Sequence, residues 1–429
     1  MLKLLIVNIL DREEKIMAEW LKTSLINIVE LIGGGTPKTS KAEYWGGNIN
    51  WLSVKDFNNE NRYVYSTEKT ITEEGLNNSS TKLLKKDDII ISARGTVGKL
   101  AMIPFPMAFN QSCYGIRAKE GVNSTFLYYL IKNSVRKLKA MTHGSVFDTI
   151  TRDTFANIEV DMPDIETQHS IAIMLADIDD KIENNQRINN NLEQQALLLF
   201  KKWFIELDST SNNMFETQFG LIPDTFKLLK NGELPLIITD YVANGSFASL
   251  KANVTLYKEP NYAYFIRNTD LKSGTFEAFV DKHSYMYLSK SKLHGGEIII
   301  SNVGDVGSVF LCPKLDKPMT LGNNVIMLRP EQDNMRYYLY IWFKWLYGQS
   351  LIQGIKGGSA QPKFNKTDFK NLPIYLPDDT TLEQFHQTVK PMFELIEKNN
   401  SESQNLAAMR NAILPKLMSG ELDISNIDL

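Results

Sequence analysis

Metal-ligating and redox residues are scarce in this chain. Two cysteines and five histidines stand among 429 residues, with no C-x-x-C and no H-x-x-x-H spacing. No zinc cluster or disulfide framework is indicated, and a reducing compartment fits. Long apolar runs are missing as well. The opening MLKLLIVNIL is too short to span a bilayer, and the charged run Asp11 to Lys15 that follows offers no small-residue cleavage site. Residues 1–16 are expected to be an N-terminal extension ahead of Met17, a local strand or helix being the alternative. Neither sign of charge is in excess. Lys and Arg number 47 against 50 Asp and Glu, for a net charge of −3. That balance argues mildly against nucleic acid unless basic side chains gather on one face. Catalytic signatures are also lacking: there is no N-P-P-[YF] run, no P-D…E-x-K arrangement, no helicase motif and no Ser–His–Asp order. What remains is an ordinary globular composition, 43% hydrophobic and 23% charged, long enough for two domains that each bury a core.

The most telling feature present is an internal repeat. DDIIISARGTVGKLAMIP from Asp87 reappears as GGEIIISNVGDVGSVFLCP from Gly295. Ile89, Ser92, Gly95, Val97, Gly98 and Pro104 map onto Ile298, Ser301, Gly304, Val306, Gly307 and Pro313, each 209 positions on (298 − 89). Gly144, Ser145, Phe155, Asn157 and Pro163 map onto Gly358, Ser359, Phe369, Asn371 and Pro377, now at 214 (358 − 144). Glu19 to Pro163 reads as a mixed domain of short β runs broken by Gly and Pro, with a helix over 125–140.

Each copy ends in a long amphipathic stretch. Ile171, Leu175, Ile178, Ile182, Asn185, Asn189, Leu192, Ala196, Leu199 and Trp203 follow alternating four- and three-residue steps. This is a heptad seam, about 55 Å long at ~1.5 Å per residue. The second copy supplies Leu382, Phe385, Val389, Met392, Ile396, Asn399, Ser403, Leu406, Arg410, Ile413 and Leu417. Pro391 should kink that helix or mark its true start. Asn185 and Asn399 are equivalent, and an antiparallel pairing brings them together as a polar layer that sets the register.

Several loops carry hydrogen-bonding chemistry. GGGTPKTSKAEYWGGNINWLSVKDF, Gly33 to Phe57, joins a Gly-rich turn to Thr and Lys donors and a Tyr-Trp pair. Such a loop lets backbone N–H groups approach a phosphate, although a plain surface turn is the simpler reading. SARGTVG and its mate SNVGDVG keep their glycines but exchange Arg94 for Val303 and Thr96 for Asp305. WLSVKDF matches FIRNTDL, with Asp56 and Asp270 as turn or cap residues and Arg267 and Asn268 as candidate readers of G and A edges. FNQSCYGIR and LGNNVIMLR place Asn and Gln in strands, where core hydrogen bonding and base contact are equally open.

Taken together, these segments resemble the specificity (S) subunit of Type I restriction–modification systems. The resemblance covers nearly the whole chain after Met17. It is carried by GGGTPKTSKAEYWGGNINW, IIISARGTVG, NQSCYGI, GLIPDTFKL, FKKWF at Phe200–Phe204 and NAILPKLMSGEL at Asn411–Leu422. The second domain departs from it by lacking the G-G-T-P…Y-W-G-G opening.

The resemblance implies an α+β, pseudo-twofold protein. Two mixed α/β target recognition domains, 17–165 and 220–377, alternate with coiled-coil-like antiparallel helices at 166–207 and 378–422. A linker spans 208–219 and a tail 423–429. It also implies a non-catalytic, cytoplasmic subunit without a cofactor of its own. The subunit would read a bipartite, asymmetric site in double-stranded DNA. It would position two methyltransferase (M) subunits and motor-nuclease (R) subunits, which use S-adenosylmethionine, ATP and Mg.

Candidate DNA contacts in the first domain are Thr36, Lys38, Lys41, Lys55, Arg94, Thr96, Lys99, Gln111, Ser145 and Arg152. In the second they are Ser249, Lys251, Arg267, Asn268, Asn302, Asn323, Lys356, Ser359, Gln361 and Lys363. The alternative function is a nucleotide-binding enzyme that uses the Gly-rich loops.

Overall fold

The computed structural model describes residues 20–57, 61–142, 149–207, 213–358 and 361–422. The expected extension at 1–16 and the tail at 423–429 lie outside them. The chain divides into two compact units, 1–187 with 400–429, and 188–399. Each unit therefore takes one globular part and one half of each long helix.

The repeat seen in sequence is a repeat of topology. In the first unit an antiparallel sheet runs in the order Val29–Gly33, Cys113–Ala118, Ile89–Ser92, Leu100–Met102. In the second the same order is Leu236–Asp240, Val325–Pro330, Ile298–Ser301, Val309–Leu311. The triplets Ile89 to Ile91 and Ile298 to Ile300 are fully buried. Alternate members face different apolar clusters, so each sheet carries a core on both faces. Such two-sided burial suits a continuous β-branched run.

A second sheet in each unit contains one parallel pair, Trp45–Leu52 with Met107–Phe109 and Ala263–Ile266 with Met319–Leu321. A third pairing closes each globular part on itself. Leu21–Ser24 pairs with Glu159–Met162, and Lys227–Lys230 with Pro373–Leu376. Gly98 and Gly307 take φ of 81° and 97°, and their N–H groups donate to the Ser92 and Ser301 carbonyls, both at 2.9 Å. A side chain at that φ is strained, which explains why both copies hold glycine there.

Two long helices follow the globular parts. Asp164 and Asp378 cap them, accepting from Thr167 N at 2.8 Å and Thr381 N at 2.9 Å. The first runs Ile165–Phe200 and ends in a π turn, Lys201–Ile205. The second runs unbroken over Asp379–Met418, so Pro391 does not mark its start. Pro391 and Gln387, whose carbonyl loses its partner, are both exposed, and solvent can serve that carbonyl.

Within each unit the helix halves pair antiparallel. In the first, Ile171, Leu175 and Ile178 share a core with Ile413 and Leu417. In the second, Ala196, Phe200 and Phe204 share one with Leu382, Phe385 and Val389. Here the buried positions are Phe200 and Phe204 rather than the expected Leu199 and Trp203, which are half-buried. The helix turns because it also packs on the helix Met335–Lys344. Phe204 lies 5.0 Å from Tyr338 and 4.9 Å from Phe385, ring to ring.

The polar layer appears twice. Asn185 Nδ2 donates to Ser403 Oγ at 3.3 Å and to Glu402 at 2.8 Å in the first unit. Asn399 Nδ2 donates to Asn189 Oδ1 at 2.8 Å in the second. Ser403 and Asn189 are equivalent at the 214 spacing, so these are two copies of one contact.

The interdomain segment is not all linker. Met214–Thr217 pairs with Gly220–Pro223 as a hairpin. No helix among the described residues is long and apolar enough to cross a membrane.

Candidate nucleic-acid interface

In the first unit the predicted loops converge. Gly35 N donates to the Phe109 carbonyl at 3.0 Å, and Trp51 Nε1 to the Gly35 carbonyl at 3.0 Å. A Cβ on Gly34 would overlap the Asn110 carbonyl, and one on Gly35 the backbone at Ser80–Thr81. Gly34 and Gly35 are thus packed against their own chain, where no other residue fits without displacing it. Thr36 Oγ1 donates to Gln111 Oε1.

The loop 93–98 joins this group through Ala93 N and Arg94 N, which donate to the Ser112 carbonyl at 2.8 and 3.2 Å. Arg94 and Thr96 are exposed at its tip, and the Arg94 side chain has no hydrogen-bond or ion-pair partner among the described residues. Lys99 follows, its backbone N–H held by Ser92 Oγ at 2.8 Å. Lys38 is exposed, and its carbonyl accepts from Trp45 Nε1 at 3.3 Å.

Three other candidates have partners inside the domain. Lys41 lies 3.4 Å from Glu43 and over the Tyr44 ring at 5.0 Å. Lys55 sits 3.9 Å from Glu68, both well exposed. Arg152 Nη2 donates to the Leu31 carbonyl at 3.2 Å.

The second unit assembles an equivalent group with different chemistry. Gly304 N donates to the Pro362 carbonyl at 2.8 Å, and Phe364 N to the Asn302 carbonyl at 3.0 Å. The loop 302–307 is thereby bound to the segment holding Lys356, Gln361 and Lys363, all exposed. Lys356 Nζ donates to Gln353 at 2.7 Å. Asn302 Nδ2 donates to the Phe364 carbonyl at 3.3 Å, and Asn302 N to the Asn324 carbonyl at 3.1 Å, which places exposed Asn323 alongside.

Asp305 stands where the first unit has Thr96. It accepts from Ser308 Oγ at 2.8 Å, Lys272 Nζ at 3.2 Å and Asn268 Nδ2 at 3.5 Å. The Ser308 hydrogen bond, with those from Lys272 and Asn268, holds its carboxyl below the usual range. Lys272 was not among the sequence candidates. Its position four residues after Asn268, on one helix face, was the signal available.

Arg267 is bidentate on Asp270, through Nε at 2.9 Å and Nη2 at 2.6 Å. Asp270 also caps the helix Asn268–Ser273 by accepting from Arg267 N at 2.9 Å. Asp56 makes the matching contact in the first unit, accepting from Ser53 N at 2.7 Å, but there it closes a turn rather than opening a helix. One is thus a cap residue and the other a turn residue, both within the expectation. Ser249 Oγ pairs with Tyr287 Oη at 2.5 Å, and Lys251 is exposed on the same short helix. Ser145 and Ser359 lie outside the described residues.

The strand arginines of the two matching segments serve the core. Arg117 Nη2 meets buried Asp88 at 2.6 Å, and Arg329 Nη2 meets buried Glu297 at 2.9 Å. Asp88 and Glu297 are equivalent at 209. Burial pushes the Cys113 thiol up to about 12 and also raises Cys312, so neither is a thiolate near neutral pH. Among the described residues no group of three His, Cys, Asp or Glu could hold a metal ion.

One scaffold occurs twice, alike in its strands and unlike in its exposed loops; that is the architecture of a tandem recognition protein. The Type I restriction–modification DNA specificity domain matches this chain at residues 17–194 and again at 213–408. The chain therefore belongs to the family of Type I DNA specificity subunits, which are non-catalytic. It is 31% identical over 423 residues to the MjaIX specificity subunit of Methanocaldococcus jannaschii, covering 96% of each chain. It is 25% identical over 341 residues to the HindI specificity subunit of Haemophilus influenzae, covering 67% of this chain and 74% of that one. The crystal structure of the S subunit from M. genitalium shares the fold, with a TM-score of 0.55 at 15% identity over 95% of this chain and 98% of that one.

Proposed function

We propose that this chain reads a split, non-palindromic site in double-stranded DNA, one half-site per globular domain. It positions two methyltransferase subunits and the motor-nuclease subunits of a cytoplasmic complex. S-adenosylmethionine, ATP and Mg belong to those partners. The observation that carries this reading is the pair of loops 92–98 and 301–307. The same two backbone hydrogen bonds close both, Ser92 N to the Lys99 carbonyl and Gly98 N to that of Ser92 in the first, Ser301 N to the Ser308 carbonyl and Gly307 N to that of Ser301 in the second. Arg94 and Thr96, by contrast, are replaced by Val303 and Asp305. Equivalent loops with unlike donors and acceptors select unlike bases, because base edges are distinguished by their donor–acceptor pattern. A 36-residue helix rises about 54 Å, more than one DNA turn of ~34 Å, which is long enough for a spacer between half-sites.

Sequencing the methylation pattern of DNA modified by the assembled complex tests this directly. Two unlike half-sites separated by unspecified bases are expected. A continuous or palindromic motif overturns the reading.

A finer prediction concerns Arg94, the exposed arginine of the first loop. Arg94→Ala is expected to cost about 1–3 kcal/mol at one base position of one half-site. The other half-site should be unaffected. Competition with duplexes altered one base pair at a time measures both effects.

A further inference from the structure

The second unit carries a surface strip whose chemistry the recognition loops do not use. Lys282 Nζ lies 5.9 Å from the Tyr262 ring centre, and Tyr262 lies 5.5 Å from Tyr285, ring to ring. Lys292 Nζ lies 4.7 Å from the Tyr285 ring and 4.0 Å from Met286 Sδ. Cation, ring, ring, cation thus follow one another, with Lys282, Tyr262 and Met286 exposed.

The helix Lys282–Tyr287 that bears the strip adjoins a candidate DNA-contacting helix, since its Tyr287 pairs with Ser249 at 2.5 Å. The segment Asp281 to Gly295 holds three lysines and two histidines against one aspartate, in a chain whose net charge is −3. The first unit has the same helix and strand, Glu73–Asn77 and Leu83–Leu84. At the 209 spacing Lys282, Tyr285 and Lys292 correspond there to Glu73, Leu76 and Leu83. The scaffold therefore does not require basic or aromatic side chains at these positions.

We propose that Lys282, Tyr262, Tyr285 and Lys292 form an accessory DNA-backbone contact, binding sugar–phosphate beside the half-site read by the second domain. This rests on the DNA-reading function proposed above. Lysines supply charge to phosphate, and tyrosines brace those lysines by cation–π attraction while offering hydroxyl donors. The contact is independent of sequence.

The test uses the full chain and a fluorescein-labelled duplex of mixed sequence, with binding followed by anisotropy as sodium chloride is raised. K282A/K292A is expected to lower the log–log salt slope by about 2, roughly one per lysine, on every duplex tested. K282R/K292R is expected to keep the slope. If the parent chain binds and K282A/K292A leaves its slope unchanged, the strip is not a DNA contact, while the reading loops stand. Equal loss in the Lys→Ala and Lys→Arg variants assigns the effect to folding and also overturns the contact. A parent chain that binds no duplex at any salt concentration overturns the DNA reading itself.

Discussion

Arg410→Met is expected to destabilise the first unit by about 3–5 kcal/mol, the cost of leaving a buried charge without its partner. Arg410 sits near the end of the second long helix and Asp179 in the first, 231 residues apart in sequence. Their side chains are 6% and 4% exposed and form an ion pair. Tyr129 Oη completes the site by donating to Asp179 Oδ2 at 2.7 Å, and burial together with that carboxylate pushes the Tyr129 hydroxyl far up.

Removing the guanidinium strands the Asp179 carboxylate on a single tyrosine. The double substitution D179L/R410M is expected to recover most of the loss. The second unit shows that this position can be apolar. There the equivalents of Asp179 and Arg410 are Phe393 and Ala196, and Phe393 stacks on Tyr337 at 4.5 Å. Urea midpoints for the two single variants and the double variant close the cycle. Additive losses without recovery would mean that the pair does not couple.

Exchanging residues 20–163 for the equivalent block of a relative with another target is expected to replace one half-site completely and leave the other intact. Several recognised base pairs then change together. At about 1–3 kcal/mol for each mismatch, binding to the old site should fall to the non-specific level. The boundaries follow from strand pairing. Leu21 pairs with Met162 and Ser24 with Glu159, so the block enters and leaves through one two-stranded ladder. A smaller exchange of 87–117 is expected to misfold, because Ile89–Ser92 lies between Leu100–Met102 and Cys113–Ala118, and the latter also pairs with Val29–Gly33. Methylation motifs of the exchanged subunit provide the measurement. A change in both half-sites would show that the domains do not read independently.

Much of the fold was legible because its signals are local and repeat along the chain. The isoleucine triplets, the glycines at 98 and 307 and the heptad runs each depend on a few neighbouring residues. The duplication shows them twice. The seam was legible over Ile171 to Ile178. It was displaced at Phe200 and Phe204 because the sequence does not announce that the helix Met335–Lys344 packs there.

For the candidate site, the sequence by itself determined which loops carry donors and acceptors, and that the two copies differ in them. Only the tertiary structure decided how those side chains are engaged. Arg94 is exposed with no side-chain partner among the described residues, whereas Arg267, equally attractive as a reader, is held by Asp270. The reason is physical. Periodicity and turn chemistry are written in residues a few positions apart. Pairings such as Asp179 with Arg410, or Thr36 with Gln111, depend on where separate segments meet, and the packing of the core settles that.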